Sequence, residues 1–335
     1  MACVGGCEMK KRILVILLAL MSLAVLPRGE AEEPFPGWSE VPLNENGFLD
    51  EGEFVKEDPE AGIWMYANST LRICVTRTWE TPEKIRKRDP NQEFNCFTAE
   101  IWCDTGKYEL PTTLWADPTK PGNVNIRKTV AQIASEQGAV FAVSTDLFTA
   151  RLTQKTAGVV IRNGEILYDR KTGYYPGKRP PFETLALYED GHAESCHTAE
   201  KRGETYLEEG AVQVYTFGPV LVRDGEIPEN IGKYEDRNLN PMHAFGVAEP
   251  GHYIDVLCEG RLKSVNGSTG VLTESLARIM KERGCSVAVC LDGGDSAVMT
   301  FMGKQLNRVA KIPSGRVTCE VLAFGRTKGK DAEKP

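Results

Sequence analysis

The stretch Ser286-Val-Ala-Val-Cys-Leu-Asp-Gly-Gly-Asp-Ser-Ala-Val-Met299 decides the fold predicted for this chain. Its apolar run, Val287–Leu291, is too short for a helix and is followed at once by turn residues, which is typical of a buried strand. The next five residues, 292–296, are polar and rich in glycine. Because open α/β sheets bind ligands at the carboxyl ends of their strands, we expect a functional site in residues 292–296.

A predicted helix and another predicted strand precede this run. Residues 253–258 alternate as a strand does, and a helix begins near Thr273 and ends before Gly284. Strand, helix and strand within about 40 residues predict a βαβ unit, whose two strands are parallel and joined by a right-handed crossover. The loop after Leu291 then lies at the carboxyl edge of the sheet.

Hairpin signals occupy much of the remaining chain. Apolar runs flank Asn163-Gly164 and Asp224-Gly225, the dipeptides that two-residue hairpin turns favour. Upstream, a short amphipathic helix over residues 127–137 precedes a buried strand over residues 139–143, which ends in a polar turn. The predicted fold class is α/β (mixed α+β): a hairpin-rich mixed sheet with a C-terminal βαβ unit that carries the Asp-Gly-Gly loop.

The amino-terminal residues indicate export. Lys10, Lys11 and Arg12 precede an apolar run of signal-peptide length, and small residues follow it. We predict a signal peptide over residues 1–31, an acidic flexible leader over 32–60, the main domain over 61–326 and a polar tail over 327–335. The protein is expected to be secreted or extracytoplasmic, in the cell envelope; the alternative is an uncleaved membrane anchor.

Charge and cysteine content exclude several classes of partner. Residues 1–31 hold four basic and two acidic side chains, which leaves 36 Lys and Arg against 45 Asp and Glu. This acidic balance argues against nucleic acid, and against membrane contact other than through an uncleaved signal segment. Eight cysteines follow residue 31; Cys96 and Cys103 are spaced for a bridge, whereas Cys258 and Cys290 lie in apolar runs typical of buried thiols. No Cys or His spacing indicates a metal site, and we expect no cofactor.

Residues 292–296 have the composition of an anion-binding turn. Gly293 and Gly294 let the backbone approach a ligand, and successive amides in such a turn bind anions. Ser296 adds a hydroxyl, and Asp292 can act as acid, base or substrate clamp. The alternative from these residues alone is a tight turn capped by an aspartate.

Several segments, taken together and in order, resemble one known family. They are Val143-Ser-Thr-Asp-Leu-Phe148, Ile161-Arg-Asn-Gly164, Phe217-Gly-Pro-Val-Leu-Val-Arg-Asp-Gly225, Pro241-Met-His-Ala-Phe-Gly246, Cys258-Glu-Gly-Arg261 and Cys290-Leu-Asp-Gly-Gly-Asp-Ser-Ala297. In this order they are similar to the motifs of the phosphodiester glycosidases, enzymes that remove a sugar from a phosphodiester. The resemblance extends from about residue 63 to residue 325.

The resemblance implies a hydrolase that cleaves a glycosyl phosphodiester bond in a phosphorylated saccharide or envelope glycopolymer. A phosphate monoester is a stable leaving group, so the site must hold the phosphate, stabilise positive charge at the anomeric carbon and activate water. We expect Asp146 and Asp292 to be the catalytic carboxylates, with His243 facing the phosphate. The residues expected to bind substrate are Phe148, Arg261, Gly293, Gly294, Asp295 and Ser296.

The chain also departs from the family motifs. Met242 and His243 replace an arginine and a threonine, Ser144 and Thr145 replace the usual asparagine segment, and Ala297 replaces a serine. Loss of a guanidinium removes a strong phosphate contact, which His243 could partly restore. The alternative function is therefore a weakened or inactive family member that binds anionic glycans, and a third is a structural envelope protein.

Overall fold

The chain has 335 residues, and its computed structural model describes residues 38–82, 92–107, 110–146, 158–169, 183–197, 200–234 and 239–326. Two compact units divide it, Met1–Glu40 and Val41–Pro335. In the first unit the described residues form a single 3-10 turn, Trp38–Glu40. All elements discussed below belong to the second unit.

The largest sheet has eight strands, numbered here along the chain, and all its neighbouring strands are antiparallel. In spatial order they are β1 (Phe54–Asp58), β2 (Ile63–Ala67), β3 (Leu71–Glu80), β4 (Phe94–Cys103), β14 (His252–Cys258), β13 (Met242–Glu249), β15 (Val287–Leu291) and β12 (Val220–Val222). Strand β15 therefore lies inside the sheet, between β13 and β12.

Two further antiparallel sheets have five strands each. The second sheet is ordered β10 (Ala193–His197), β9 (Glu183–Tyr188), β11 (Ala211–Phe217), β7 (Val159–Arg162) and β8 (Glu165–Asp169). The third is ordered β17 (Lys304–Gln305), β16 (Met299–Phe301), β6 (Ala139–Val143), β18 (Glu320–Arg326) and β5 (Thr112–Trp115).

The helices are few and short. They are α1 (Val130–Glu136), α2 (Gly203–Glu208), α3 (Lys263–Asn266) and α4 (Thr273–Glu282), with 3-10 turns at Thr105–Lys107, Ile231–Tyr234 and Gly294–Ser296. Helix α1 begins with a capping box: the Gln132 N–H donates to Thr129 Oγ1 (3.2 Å), and the Thr129 N–H donates to Gln132 Oε1 (3.0 Å). Within the described ranges, no helix has both the length and the apolar character needed to cross a membrane.

The core lies between the eight-stranded sheet and the two smaller sheets. Alternate residues of β15, including Val289 and Leu291, face this main core together with Phe141 of β6 and Phe324 of β18. The other residues of β15 face a second cluster under α4. Helix α1 covers the outer face of the third sheet, and α2 covers the outer face of the second. This layering explains the continuous apolar sequence of β15, which is buried on both faces.

The predicted hairpins form as expected. Strands β7 and β8 turn at Asn163-Gly164, where both residues have positive φ (51° and 77°), and Asp224-Gly225 turns in the same way (51° and 75°). Positive φ at both central residues is the geometry that Asn-Gly and Asp-Gly favour. The mixed α+β class therefore holds, with all described strand pairs antiparallel.

The two strands of the predicted βαβ unit are parallel, but they are not neighbours in the sheet. Strand β14, helix α4 and strand β15 follow one another along the chain, but β13 lies between the two strands and is antiparallel to both. Both strands therefore run in the same direction without being neighbours. Sequence spacing indicates the direction of a strand after a crossover, but not whether an earlier strand has taken the adjacent position.

Two other expectations differ from the structure. Residues 32–60 were predicted as a flexible leader, yet β1 lies in this range and pairs with β2, and the Leu49 N–H donates to the Asn68 carbonyl (2.9 Å). The Cys96–Cys103 bridge is wrong: both residues belong to β4, seven positions apart, which at about 3.3 Å per residue places them far beyond disulfide reach. All eight described cysteines are free thiols, and Cys258 and Cys290 are buried as predicted.

Candidate functional site

A cleft opens where β6 and β15 end. The cleft is small and partly open to solvent. The residues that line it are Ser144, Thr145, Asp146, Asp292, Ser296, Arg316, Val317 and Thr318. Segments 144–146 and 292–296 each follow a buried strand directly, so the cleft lies where two of the sheets meet.

Asp292 is the partly buried carboxyl of the cleft. Its N–H donates to the Thr145 carbonyl (3.2 Å), which joins the segments that follow β15 and β6. Burial raises the pKa of Asp292 to about 6, and the nearby Asp146 acts in the same direction. A hydrogen bond from the Ser296 side chain opposes this shift, as do Arg316 and His243, without cancelling it. Asp292 can therefore exchange a proton near neutral pH, as a general acid or base requires.

Gly293 and Gly294 let the loop pack closely against Pro241, the residue before β13. The Gly294 N–H donates to the Pro241 carbonyl (3.0 Å). A Cβ at position 293 would lie 2.7 Å from the same carbonyl oxygen, and Gly294 has a φ of +62°. Each position thus needs glycine for a separate reason, close approach at 293 and left-handed backbone at 294. The Asp295 carbonyl in turn accepts from the Arg316 N–H (2.8 Å), so the loop also positions Arg316.

Asp146 is fully engaged at the back of the cleft. Both of its carboxylate oxygens lie 2.9 Å from Arg162 Nη2, and Oδ2 also accepts from the Thr216 N–H (2.9 Å). Arg162 Nε bonds Glu320 Oε1 (2.7 Å), and the ion pairs are buried. The two expected catalytic carboxylates therefore differ. Asp292 can exchange a proton near neutral pH, whereas Asp146 is held in place by the Arg162 guanidinium.

Sequence reasoning missed Arg162 and Glu320. Each is a charged residue that adjoins a strongly apolar strand run, and a charge in such a run is almost always paired. That signal indicates that partners exist, but not which residues they are. Arg162 Nη1 further donates to the Val214 carbonyl (2.6 Å), and its guanidinium lies 4.2 Å from the centre of the Tyr215 ring.

His243 is buried rather than exposed to the cleft. Its Nε2 lies 2.7 Å from Asp255 Oδ2, and its Nδ1 lies 3.5 Å from the hydroxyl of Ser144. Burial raises the pKa of Asp255, and the histidine beside it opposes that shift. Position 243 pairs with Leu291 and Leu257 in the centre of the sheet, so its side chain points into the core. The expectation that His243 faces a phosphate is therefore wrong, because the side chain is buried beside Ser144 and is not among the residues that line the cleft.

Arg316 is the cation that lines the cleft. Among the described residues its guanidinium forms no salt bridge, which leaves its donors available to an anionic ligand. Sequence reasoning missed it because residues 313–318 contain neither a motif nor a periodic pattern. Arg316 offers a guanidinium in a chain that lacks the motif arginine at position 242.

The two other predicted ligands lie elsewhere or outside the described ranges. Arg261 is exposed, donates from Nη2 to Asn240 Oδ1 (2.7 Å) and lies beside Gly294, where an added Cβ would be 3.5 Å from its Nη1. It borders the loop without lining the cleft. Phe148 lies outside the described residues. No group of three or more His, Cys, Asp or Glu is arranged to hold a metal ion within the described ranges.

The cleft has the chemistry of an anion-binding site. Carboxyl, guanidinium and hydroxyl groups line it at the ends of two buried strands. Residues 137–318, more than half of the chain, match the family model of the phosphodiester glycosidases. The chain belongs to the phosphodiester glycosidase family, whose members are hydrolases.

Individual relatives are distant. Over 198 residues the chain is 25% identical to the SPbeta prophage-derived uncharacterized protein YomE of Bacillus subtilis (strain 168). The match covers 58% of this chain but only 29% of YomE.

Two solved structures share the fold. The catalytic domain of zebrafish N-acetylglucosamine-1-phosphodiester alpha-N-acetylglucosaminidase, auto-inhibited by its pro-peptide, is 17% identical with a TM-score of 0.59, covering 77% of this chain and 84% of that one. A hypothetical protein from Synechocystis is 14% identical with a TM-score of 0.50, covering 76% and 62%. At these identities the structures support the architecture alone.

Proposed function

We propose that this protein hydrolyses a glycosyl phosphodiester bond and that Asp292 is its general base. The observation that carries the proposal is the pairing, in one cleft, of a carboxyl whose pKa is about 6 with an Arg316 guanidinium. The carboxyl can accept a proton from water near neutral pH, and the guanidinium can hold the phosphate through charge-assisted hydrogen bonds.

The proposed reaction breaks the bond between the anomeric carbon and the bridging oxygen. A water molecule attacks the anomeric carbon, Asp292 takes its proton, and the phosphate monoester leaves with the bridging oxygen and the electron pair. Because that monoester is already a stable anion, it needs no proton from the enzyme. The hydroxyl of Ser296 adds a polar group to the lining beside Asp292.

Asp146 has a different role in this proposal. Its carboxylate is bound twice by Arg162 and once by the Thr216 N–H, so taking a proton would break strong contacts. We assign it a fixed electrostatic role. Arg162 holds the Asp146 carboxylate in place, and that carboxylate faces the positive charge that develops on the sugar.

The proposed substrate is a phosphorylated saccharide outside the cytoplasm. The signal-like residues 1–31 support export, and the acidic mature chain disfavours nucleic acid as a substrate. An envelope or extracellular glycopolymer whose units are joined through sugar phosphodiesters fits both points. The competing proposal is a protein that binds such a glycan without turning it over, motivated by Met242 and Ala297.

Replacement of Asp292 tests the catalytic proposal. For Asp292→Asn we expect turnover of a model substrate, methyl N-acetylglucosaminyl phosphate, to fall at least about 100-fold, the usual contribution of a general base. The measurement is release of reducing sugar by the purified mature chain. In the unsubstituted protein kcat/KM should fall below about pH 6, because Asp292 is then protonated.

Asp224→Asn is the matched control. Asp224 is an exposed turn residue with a φ of 51°, which asparagine also adopts readily, so this variant should retain full turnover. Undiminished hydrolysis by Asp292→Asn would remove the proposed role of Asp292. Binding of the substrate without turnover by the unsubstituted protein would favour the glycan-binding alternative.

A further inference from the structure

Three residues that the proposed glycosidase reaction does not use form a continuous polar chain. Asp255 Oδ2 lies 2.7 Å from His243 Nε2, and His243 Nδ1 lies 3.5 Å from Ser144 Oγ. Asp255 and His243 are fully buried, while Ser144 is 4% exposed and lines the cleft. Carboxylate, imidazole and hydroxyl thus occur in the order of a serine nucleophile, its base and the group that orients the base.

The hydrogen bonds around Asp255, His243 and Ser144 determine which nitrogen of His243 can act as the base. When His243 Nε2–H donates to the Asp255 carboxylate, Nδ1 carries the lone pair that faces the Ser144 hydroxyl. The Val298 N–H donates to Ser144 Oγ (3.3 Å), and the Ser144 N–H donates to the Val298 carbonyl (3.1 Å). The serine oxygen is therefore held from one side while its proton can go to the imidazole.

The 3.5 Å separation of Ser144 Oγ and His243 Nδ1 is longer than a formed hydrogen bond. Nucleophile and base are commonly this far apart in ligand-free sites and approach when substrate binds. The burial of His243 between two strands keeps its ring in place, so the serine hydroxyl is the group that rotates. Ser144 and His243 are also two of the positions at which this chain departs from the family motifs, and here they lie side by side.

We propose that Ser144, His243 and Asp255 form a serine nucleophile centre with esterase activity towards short O-acyl groups. Ser144 lines the cleft, and Arg316 in the same lining offers donors for the oxyanion of an O-acyl group presented at the cleft mouth. This activity does not depend on the proposed glycosidase role of Asp292.

The reaction balances without any cofactor. Ser144 Oγ attacks the ester carbonyl carbon while its proton passes to His243 Nδ1. The carbon–oxygen bond to the alcohol breaks, and the alcohol leaves with the proton from His243. Water then attacks the acylated serine, His243 takes a proton from that water, and the carboxylic acid and free serine are released with the proton returned to Ser144.

Covalent labelling with a fluorophosphonate tests the proposal directly. We expect the probe to modify the folded mature chain at Ser144, located by mass spectrometry of the peptides. Ser144→Ala should abolish labelling, whereas Ser275→Ala, at a buried serine on α4, should not change its rate. Asp224→Asn, at an exposed turn that does not line the cleft, should label normally. Labelling of Ser144 needs no hydrolysis of a glycosyl phosphodiester, so its outcome is independent of the glycosidase proposal.

Two further variants test the base. His243→Gln keeps a donor for Asp255 but cannot take up a proton, and Asp255→Asn keeps the volume of the carboxylate without its charge. Each should slow labelling, and the release of p-nitrophenol from p-nitrophenyl acetate, at least tenfold, with thermal unfolding used to establish that the variant is folded. No labelling of Ser144 while a reference serine esterase is labelled would overturn the proposal, as would equal labelling rates in both folded variants.

Discussion

At the scale of single residues, the partly buried carboxyl of Asp292 links the stability of the folded chain to pH. An ordinary Asp has a pKa of about 3.9, and burial raises that of Asp292 to about 6. The folded state therefore holds a proton that the unfolded state has lost across the interval between these values. The free energy of unfolding must fall as pH rises through that interval, and above pH 6 the folded chain bears the full cost of the charge.

Asp292→Asn should accordingly stabilise the protein at pH 7 while it removes turnover. We expect the free energy of unfolding to rise by about 1–2 kcal/mol at pH 7 and to change little below pH 4, where both side chains are neutral. Urea denaturation at the two pH values measures the difference. Equal stability of variant and unsubstituted protein at pH 7 would contradict the assigned pKa.

The same scale shows which parts of the site the sequence could predict. Asp146 and Asp292 could be located because each follows a short apolar run directly, and that local pattern is enough to place a residue at a strand end. Arg162, Asp255 and Arg316 could not, since each reaches the site through a contact between segments at least 12 residues apart in sequence. The motif marks His243 as a candidate functional residue, but it does not show on which face of β13 the side chain lies.

At the scale of elements, the β7–β8 hairpin is connected to the third sheet by its own turn. Asn163 Oδ1 accepts from the Thr113 N–H (2.8 Å) and from Gln213 Nε2 (2.7 Å), and its Nδ2 donates to the Thr113 carbonyl (3.0 Å). Thr113 belongs to β5 and Gln213 to β11, so this turn residue joins two sheets. In the hairpin at Asp224, which has the same φ of 51°, the described residues make no such side-chain bonds.

Asn163→Ala and Asp224→Ala form a matched pair. Both introduce alanine at a positive φ, which costs about 1 kcal/mol, but only the first also leaves buried groups of Thr113 and Gln213 without partners. We expect Asn163→Ala to lower the free energy of unfolding by about 2 kcal/mol more than Asp224→Ala. The comparison is made by urea denaturation, and equal losses would mean that the inter-sheet bonds contribute nothing.

Elements were predictable to the extent that their signals are local. The hairpins at Asn163 and Asp224 and helix α1 follow from dipeptides, caps and periodicity within a dozen residues. The position of β13 between β14 and β15 does not follow from such local signals. A strand buries the same apolar residues whether its neighbour is parallel or antiparallel. Strand β1 was missed because its residues are charged and only half-buried, and its place depends on backbone pairing with β2.

At the scale of the whole molecule, Arg162 joins the second and third sheets beneath the cleft. It lies at the end of β7, while Glu320 begins β18 and Asp146 follows β6. The side chains of all three are at most 2% exposed. A buried charge network of this kind is costly to break, because the group that remains is left without its partner in the interior.

Arg162→Lys should therefore be strongly destabilising although it preserves the charge. A lysine ammonium is a single point of contact and cannot span Asp146 and Glu320 as the planar guanidinium does. We expect a loss of about 3–5 kcal/mol in the free energy of unfolding, measured by chemical denaturation. Arg202→Lys, at an exposed ion pair with Asp169 (2.9 Å), should cost less than about 1 kcal/mol. Similar losses in the two variants would contradict the network.

The Arg162 network also limits how the cleft can move. Opening the cleft by separating the second and third sheets would expose an arginine and two carboxylates from the interior at the same moment. Such opening would be costly, so we expect the Asp146 side of the cleft to be the more rigid one. We expect adaptation to ligands of different size on the opposite side, where residues 292–296 and Arg316 are held by backbone hydrogen bonds and by contacts between the Asp292, Ser296 and Arg316 side chains.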